Sequence, residues 1–147
     1  MNDQIKQLVT KASVMQLATT VDDKPWICNL YFVTDDELNF YWLSYQSRRH
    51  SQDIVKNPQA AINVAIKLDQ PVIGLQAEGV VSQVDDPAIV KSVMKTYVDV
   101  HQVGQQFYDN FINKTAKHSL YVLKPSLITV FDELNNPKNP QNKLYLS

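Results

Sequence analysis

Apolar residues recur at two different periods along this chain. Near its start Ile5, Leu8, Val9 and Ala12 fall at i, i+3, i+4 and i+7 behind Asn2 and Asp3, the pattern of an amphipathic helix with a polar cap, expected to lie against a sheet. From Val14 to about Phe131 most segments are short and β-like. Asp22-Asp23-Lys24-Pro25, Thr34-Asp35-Asp36-Glu37 and Leu68-Asp69-Gln70-Pro71 separate them, each suited to a tight reversal. Residues 14–21, 26–33 and 38–44 are expected to form a meander. Further strands are expected at 60–67 and 72–84, then a closing hairpin of 120–123 and 127–131 around Lys124-Pro125-Ser126, and an edge strand at 143–146.

Helical spacing returns in the second half. Asp85 and Asp86 precede Pro87, a proline suited to a first helical turn, and Ile89/Val90, Val93/Met94 and Tyr97/Val98 repeat every four residues. Shorter helices are expected over 47–57, ending at Asn57-Pro58, and over 105–112. Six to seven antiparallel strands in a small chain are too many for a flat open sheet, so the pattern predicts a mainly β protein closed into a barrel, with small helices over its ends.

Composition narrows the function classes. The 147 residues allow one domain, spanning 1–147, and 14 Lys+Arg against 15 Asp+Glu give a formal net charge of -1. That balance argues against a nucleic-acid binder relying on many phosphate contacts and against a polybasic membrane-surface protein. No apolar run approaches the ~18 residues of a membrane span, and Met1-Asn2-Asp3-Gln4 lacks the basic-then-apolar order of a signal peptide, so a cytoplasmic protein is expected. The single cysteine, Cys28, excludes a disulfide framework within the chain and any Cys-x-x-Cys site. Gly74, Gly79 and Gly104 are too few and too scattered for a glycine-rich phosphate loop.

Candidate chemistry concentrates at Ser47-Arg48-Arg49-His50, which follows the aromatic strand and opens a short helix. Cations at a helix start oppose its dipole by a few tenths to about 1 kcal/mol each. An anion bound at the exposed N–H groups reverses that sign, and arginine grips phosphate through paired hydrogen bonds. The plainer alternative has both arginines in water or paired with Asp35, Asp36 or Asp53. Tyr31, Phe32, Phe40, Tyr41, Trp42 and Tyr45 surround this patch, and strand alternation sends neighbours such as Tyr41 and Trp42 to opposite faces. One set fills the barrel; the other either packs as core or walls a pocket for a flat ligand with a phosphate tail.

Other constellations are weaker. His50, His101 and His118 lie far apart with no H-x-x-x-H pair, so no metal site is expected. Cys28 sits mid-strand as a small hydrophobe, Asp85 and Asp86 fit a helix cap better than an acid pair, and Ser13, Ser44 and Ser47 lack a nucleophile-elbow context.

The run from Pro25 to Val33, then Leu38 to Ser44, then Ser47-Arg48-Arg49-His50 with Asn57-Pro58, Gln76-Ala77-Glu78-Gly79 and Val84-Asp85-Asp86-Pro87 resembles the pyridoxamine 5'-phosphate oxidase-like family of FMN-binding split β-barrels. The similarity covers roughly residues 12 to 132. It implies a homodimer with one FMN in each of two clefts at the subunit interface. By position, Arg48 and Arg49 would hold the FMN phosphate, assisted by Ser47 and His50. Asn29, Leu30 and Tyr31 would offer backbone groups to the isoalloxazine, Trp42 and Ser44 would border it, and Gln76 would hydrogen-bond a flavin heteroatom. The resemblance thus implies a flavin-dependent oxidoreductase transferring hydride to or from a small molecule.

Departures from the family's true oxidases are specific. Cys28 and Val33 stand where those enzymes carry an Arg and a Lys, which weakens the grip on phosphate. Their Arg-rich substrate motif has no counterpart in Asn142-Lys143-Leu144-Tyr145-Leu146-Ser147, so oxidation of pyridoxamine phosphate is not expected. The same departures motivate an alternative: a stress-related or binding protein that keeps the barrel and dimer but has lost FMN, or takes another planar ligand such as haem.

Overall fold

A computed structural model describes residues 1–147. In chain order the elements are α1 (Asn2–Val9), β1 (Val14–Val21), β2 (Lys24–Tyr31), β3 (Val33–Thr34), β4 (Phe40–Tyr45), α2 (Arg49–Lys56), β5 (Gln59–Lys67), β6 (Ile73–Gln83), α3 (Pro87–His101), α4 (Gln105–Ile112), β7 (His118–Asp132) and β8 (Gln141–Tyr145). The strands follow the order β2-β1-β5-β6-β7-β4-β3, every pairing antiparallel, with β8 added on β7. The sheet curls until β2 and β4 lie near each other without a ladder between them. The mainly β barrel expected from strand counting is present, but with an open seam in place of full closure, the split form that the resemblance implies.

The seam arises at Phe32. Asp22 and Asp23, both at positive φ (52° and 59°), turn β1 into β2 as a two-residue hairpin. The expected single strand 26–33 then breaks: Phe32 is buried, its N–H donates to the Ser13 carbonyl, and Val33 continues on the opposite edge of the sheet beside Tyr41. The expected meander therefore does not form, because residues 40–45 pair with β7 and not with β2. The turn into β4 is built by Asp35, whose carboxylate accepts from the backbone of Glu37 and Asn39, from Asn39 Nδ2 and from the Tyr41 hydroxyl at 2.8–3.0 Å.

Alternation along β4 separates two cores. Phe40 and Trp42 enter the barrel with Met15, Leu17, Ile62, Val64, Leu75 and Leu123, and Ile5, Leu8 and Val9 of α1 close one end. Tyr41 faces outward into a second cluster with Val33, Val93, Tyr97, Leu120 and Val122, beneath α3. Asp86 caps α3 by accepting from Ala88 and Ile89, with Pro87 in the first turn, as its sequence predicts. The closing residue of α3, His101, donates through Nε2 to the Phe32 carbonyl at 2.9 Å and so ties the helix to the crossover.

Three smaller expectations are corrected. The expected hairpin around Lys124-Pro125-Ser126 is instead one 15-residue strand, β7. At Glu78/Gly79 the register shifts: Leu127 stands opposite Glu78 and Pro125, which has no N–H to give to a ladder, opposite Gly79, leaving Ser126 as the extra residue. Helix α1 starts at Asn2 with no side-chain cap, so Asn2 and Asp3 lie within it. Helix α2 is shorter than 47–57, with Arg48 as its N-cap residue. No helix is long and apolar enough to cross a membrane.

Candidate functional site

Strand β4 ends in a tight turn closed by the Arg48 N–H on the Tyr45 carbonyl at 3.1 Å, and α2 begins immediately after. No side chain caps this helix, so its first N–H groups remain unpaired and its positive dipole end is open. Ser47, Arg48 and Arg49 are exposed here. The two arginines differ in their surroundings. Arg49 Nε lies 3.8 Å from Asp53 Oδ2, and its guanidinium stacks 4.2 Å from the centroid of the Trp26 ring. Asp53 is anchored in turn by the Thr19 hydroxyl at 2.9 Å. Arg48 has no carboxylate partner and lies 5.5 Å over the Tyr45 ring, which stacks on His118 at 4.3 Å. Arg48 therefore carries the uncompensated charge at an open helix end, and Arg49 is a pre-positioned neighbour.

Ser44 and His50 do not face outward. Both are buried, and the Ser44 hydroxyl and His50 Nε2 are hydrogen-bonded at 2.7 Å, bracing α2 against the end of β4. Burial, and then the nearby Arg48 charge, hold the His50 pKa below its ordinary 6.5, with Asp53 opposing. The imidazole is thus neutral near pH 7. Because its folded value lies below its unfolded one, the unfolded chain takes up the proton first as acid is added. Stability is held above about pH 6.5 and falls on acidification through the folded value. Denaturant midpoints are expected to drop between about pH 7 and pH 5, and His50→Gln to flatten part of that slope; an identical slope in the variant refutes the assignment. Burial shifts His118 the same way and pushes the Cys28 thiol up, leaving Cys28 protonated and unreactive.

Asn29, Leu30 and Tyr31 lie on β2, the sheet edge that faces the seam and has no strand on its outer side. That edge offers unpaired backbone donors and acceptors close to the start of α2. The Leu30 side chain packs on the barrel core, while Tyr31 is 60% exposed and touches His101 at a 5.3 Å centroid distance. Asn29 and Gln76 end one row of side-chain amides on the outer face, separated by β1 and β5. Trp42 is placed elsewhere: its ring is fully buried in the barrel, stacked on Tyr121, so it does not border an external pocket.

Sequence reasoning missed Trp26, Thr19, Gln16 and Asn63. Trp26 and Thr19 reach Arg49 and Asp53 only through tertiary contacts, although the i, i+4 spacing of Arg49 and Asp53 signals their pairing. Gln16 and Asn63 are polar interruptions of apolar strands, and that is the local signal that marks them. No three His, Cys, Asp or Glu side chains gather as a metal site. The larger grooves also keep the site's parts apart. Ser47 lines one of about 790 Å³ with Ser51 and Tyr121, while Ala18, Ala61 and Glu78 line another of about 580 Å³ on the outer face.

The sequence profile described as "Pyridoxamine 5'-phosphate oxidase" matches residues 1–129. No curated protein matches the chain. Among solved structures, a conserved hypothetical protein from Mycobacterium tuberculosis superposes with a TM-score of 0.78 at 14% identity, over 91% of this chain and 86% of that one. General Stress Protein 26 from Bacillus anthracis str. Sterne gives 0.69 at 18% identity, over 99% and 98%. The haem storage protein HutZ from Vibrio cholerae gives 0.64 at 21% identity, over 84% and 88%. At these identities the structures share the fold, and the profile, which spans most of the sequence, carries the assignment. The chain accordingly belongs to the pyridoxamine 5'-phosphate oxidase family, as a split-barrel relative of the true oxidases.

Proposed function

We propose that the protein binds FMN as a homodimer and acts as a flavin-dependent oxidoreductase on a small molecule. The observation that carries this reading is the uncompensated Arg48 guanidinium at the uncapped start of α2, beside the unpaired edge of β2. The residues present fit the cofactor's two chemical ends. Arg48, Ser47 and the free helical N–H groups suit a phosphate dianion, and the β2 edge offers backbone groups to a planar heterocycle. When bound, FMN supplies the hydride chemistry. The chain's own part is to hold the phosphate, orient the ring along β2 and exclude water from one face.

A second subunit is part of the proposal because one chain leaves the site open. The outer face of β1, β2, β5 and β6 combines small residues, Ala18, Ala61 and Ala65, with exposed Ile27 (62%), Tyr31 (60%) and Val80 (53%). Such a face, with exposed apolar and small side chains on either side of the row of amides, suits burial against a copy of itself.

Haem is the second reading, favoured by the fold shared with a haem storage protein and by Cys28 and Val33, non-basic residues where the resemblance implies an Arg and a Lys in the true oxidases. The visible spectrum of the purified protein separates the two, recorded before and after addition of FMN and removal of excess, with haemin in parallel. Retained flavin bands together with sedimentation as a dimer at micromolar concentration are expected. A colourless protein that takes up haemin but no FMN overturns the flavin reading.

A further inference from the structure

Between the start of α3, the end of α4 and the start of β7 lies a groove of about 410 Å³, within the size range of small-molecule sites. Its floor is apolar: Leu120 belongs to the second core cluster beneath α3, and Val84, Val90 and Phe111 pack against it. Its polar groups are mostly unspent donors. Lys91 on α3 and Lys114 just past α4 both line the groove, and neither is in an ion pair. His50 and His101 each engage a ring nitrogen in a hydrogen bond, whereas His118, on this groove, engages none. The Ser119 hydroxyl accepts from Gln46 Nε2 at 3.1 Å and keeps its own proton free. The one carboxylate on the groove, Asp85, already lies 3.4 Å from Gln83 Nε2.

We propose that this groove is a second ligand site, for a small molecule with an aromatic body and a single carboxylate or sulfonate group. The body covers Val90, Phe111 and Leu120, and the anion meets the two ammonium groups together with the His118 N–H. Two cations against one carboxylate repel a cationic ligand, and a neutral one leaves the donors unused. None of the groove's residues belongs to the proposed flavin site, so the inference stands whether or not FMN binds. A bound ligand also fastens α4. That helix buries no residue, and its side-chain amides hydrogen-bond only within it. It follows Gly104 at φ 87°, a backbone conformation that other residues rarely adopt. A molecule seated between Phe111 and Leu120 joins the last turn of α4 to β7.

The probe is anilinonaphthalene sulfonate, an aromatic monoanion whose fluorescence rises when it leaves water, titrated into the full-length protein. Phenylnaphthylamine, the same rings without the sulfonate, is its neutral counterpart. The wild type is expected to bind the sulfonate at a single saturable site. Lys91→Gln combined with Lys114→Gln is expected to weaken it about tenfold, the scale of a lost charge-assisted hydrogen bond, and to leave the neutral compound within about twofold. Ala116→Trp fills the groove from a half-exposed position and is expected to abolish saturable binding of both compounds. Amide hydrogen exchange locates the probe on the wild type without any variant. Slower exchange is expected over the last turn of α4 and the start of β7. Absence of saturable binding, equal weakening of both compounds by the lysine substitutions, or binding that survives in folded Ala116→Trp overturns the inference. So does slowed exchange confined to β2 and the start of α2, which puts the probe at the proposed flavin site instead.

Discussion

Gly79→Ala is expected to destabilise the fold by about 3 kcal/mol, the upper range of overpacking, and to lower the melting temperature by roughly 6–12 °C. At the register shift between β6 and β7 a Cβ on Gly79 overlaps the Lys124 carbonyl oxygen and lies 2.7 Å from Pro125 Cα. Both obstacles are backbone, so no rotamer change relieves them, and relaxation must separate the two strands where β7 bends. Ser126 Oγ, which donates to the Glu78 carbonyl at 3.3 Å beside the same shift, moves with them. Gly74→Ala is the control on the same strand. Its nearest neighbour is the Val64 carbonyl oxygen at 3.6 Å, an ordinary contact, so it should change stability by less than about 1 kcal/mol. Chemical denaturation of the two variants decides the matter; equal midpoints refute the role given to Gly79.

Arg48→Ala is expected to weaken FMN binding by about 10- to 100-fold, the scale of a charge-assisted hydrogen bond, with no loss of stability in the unliganded protein. The cation opposes the α2 dipole when no anion is bound, so its removal should leave stability unchanged or raise it by a few tenths of a kcal/mol. Arg49→Ala should do the reverse. It loses the stacking on Trp26 and the pairing with Asp53, which costs stability of about 0.5–1 kcal/mol, while affinity falls less because Asp53 already offsets that charge. Titration of both variants with FMN, beside their denaturation midpoints, separates the roles. Equal losses of affinity contradict the division of labour between the two arginines.

Local chemistry explains why much of the fold is legible. The cap and proline at Asp86-Pro87 act within one helical turn, and the four-residue repeat from Ile89 to Val98 reports a single buried face, so α3 appears where its pattern puts it. Tyr41 and Trp42 separate because adjacent strand residues must face opposite sides. Pro125 shows the limit: with Lys124 and Ser126 it has the local chemistry of a turn, yet it lies within one strand. What removes the turn is Gly79, 46 residues earlier in sequence, whose missing side chain lets the bent strand pass close by.

The candidate site divides along the same line. Ser47-Arg48-Arg49-His50 stands out in the sequence as a candidate anion site because charge at a helix start is a local conflict. That Arg49 is held by Trp26 and Asp53 while Arg48 stays free, and that Trp42, Ser44 and His50 turn inward, depends on strands brought together from distant segments. The amide row joins residues 16, 29, 63 and 76, which are not neighbours in sequence: Gln16 and Asn63 stand 47 positions apart. By itself the sequence determined the elements with short-range causes: the amphipathic helices, the strand alternation, the β1–β2 turn and the exposed basic start of α2. Only the tertiary structure decided the crossover at Phe32, the open seam, the course of β7 and the meeting of the four amides. Each of these is fixed by pairing between distant strands, whose energy no short window of sequence contains.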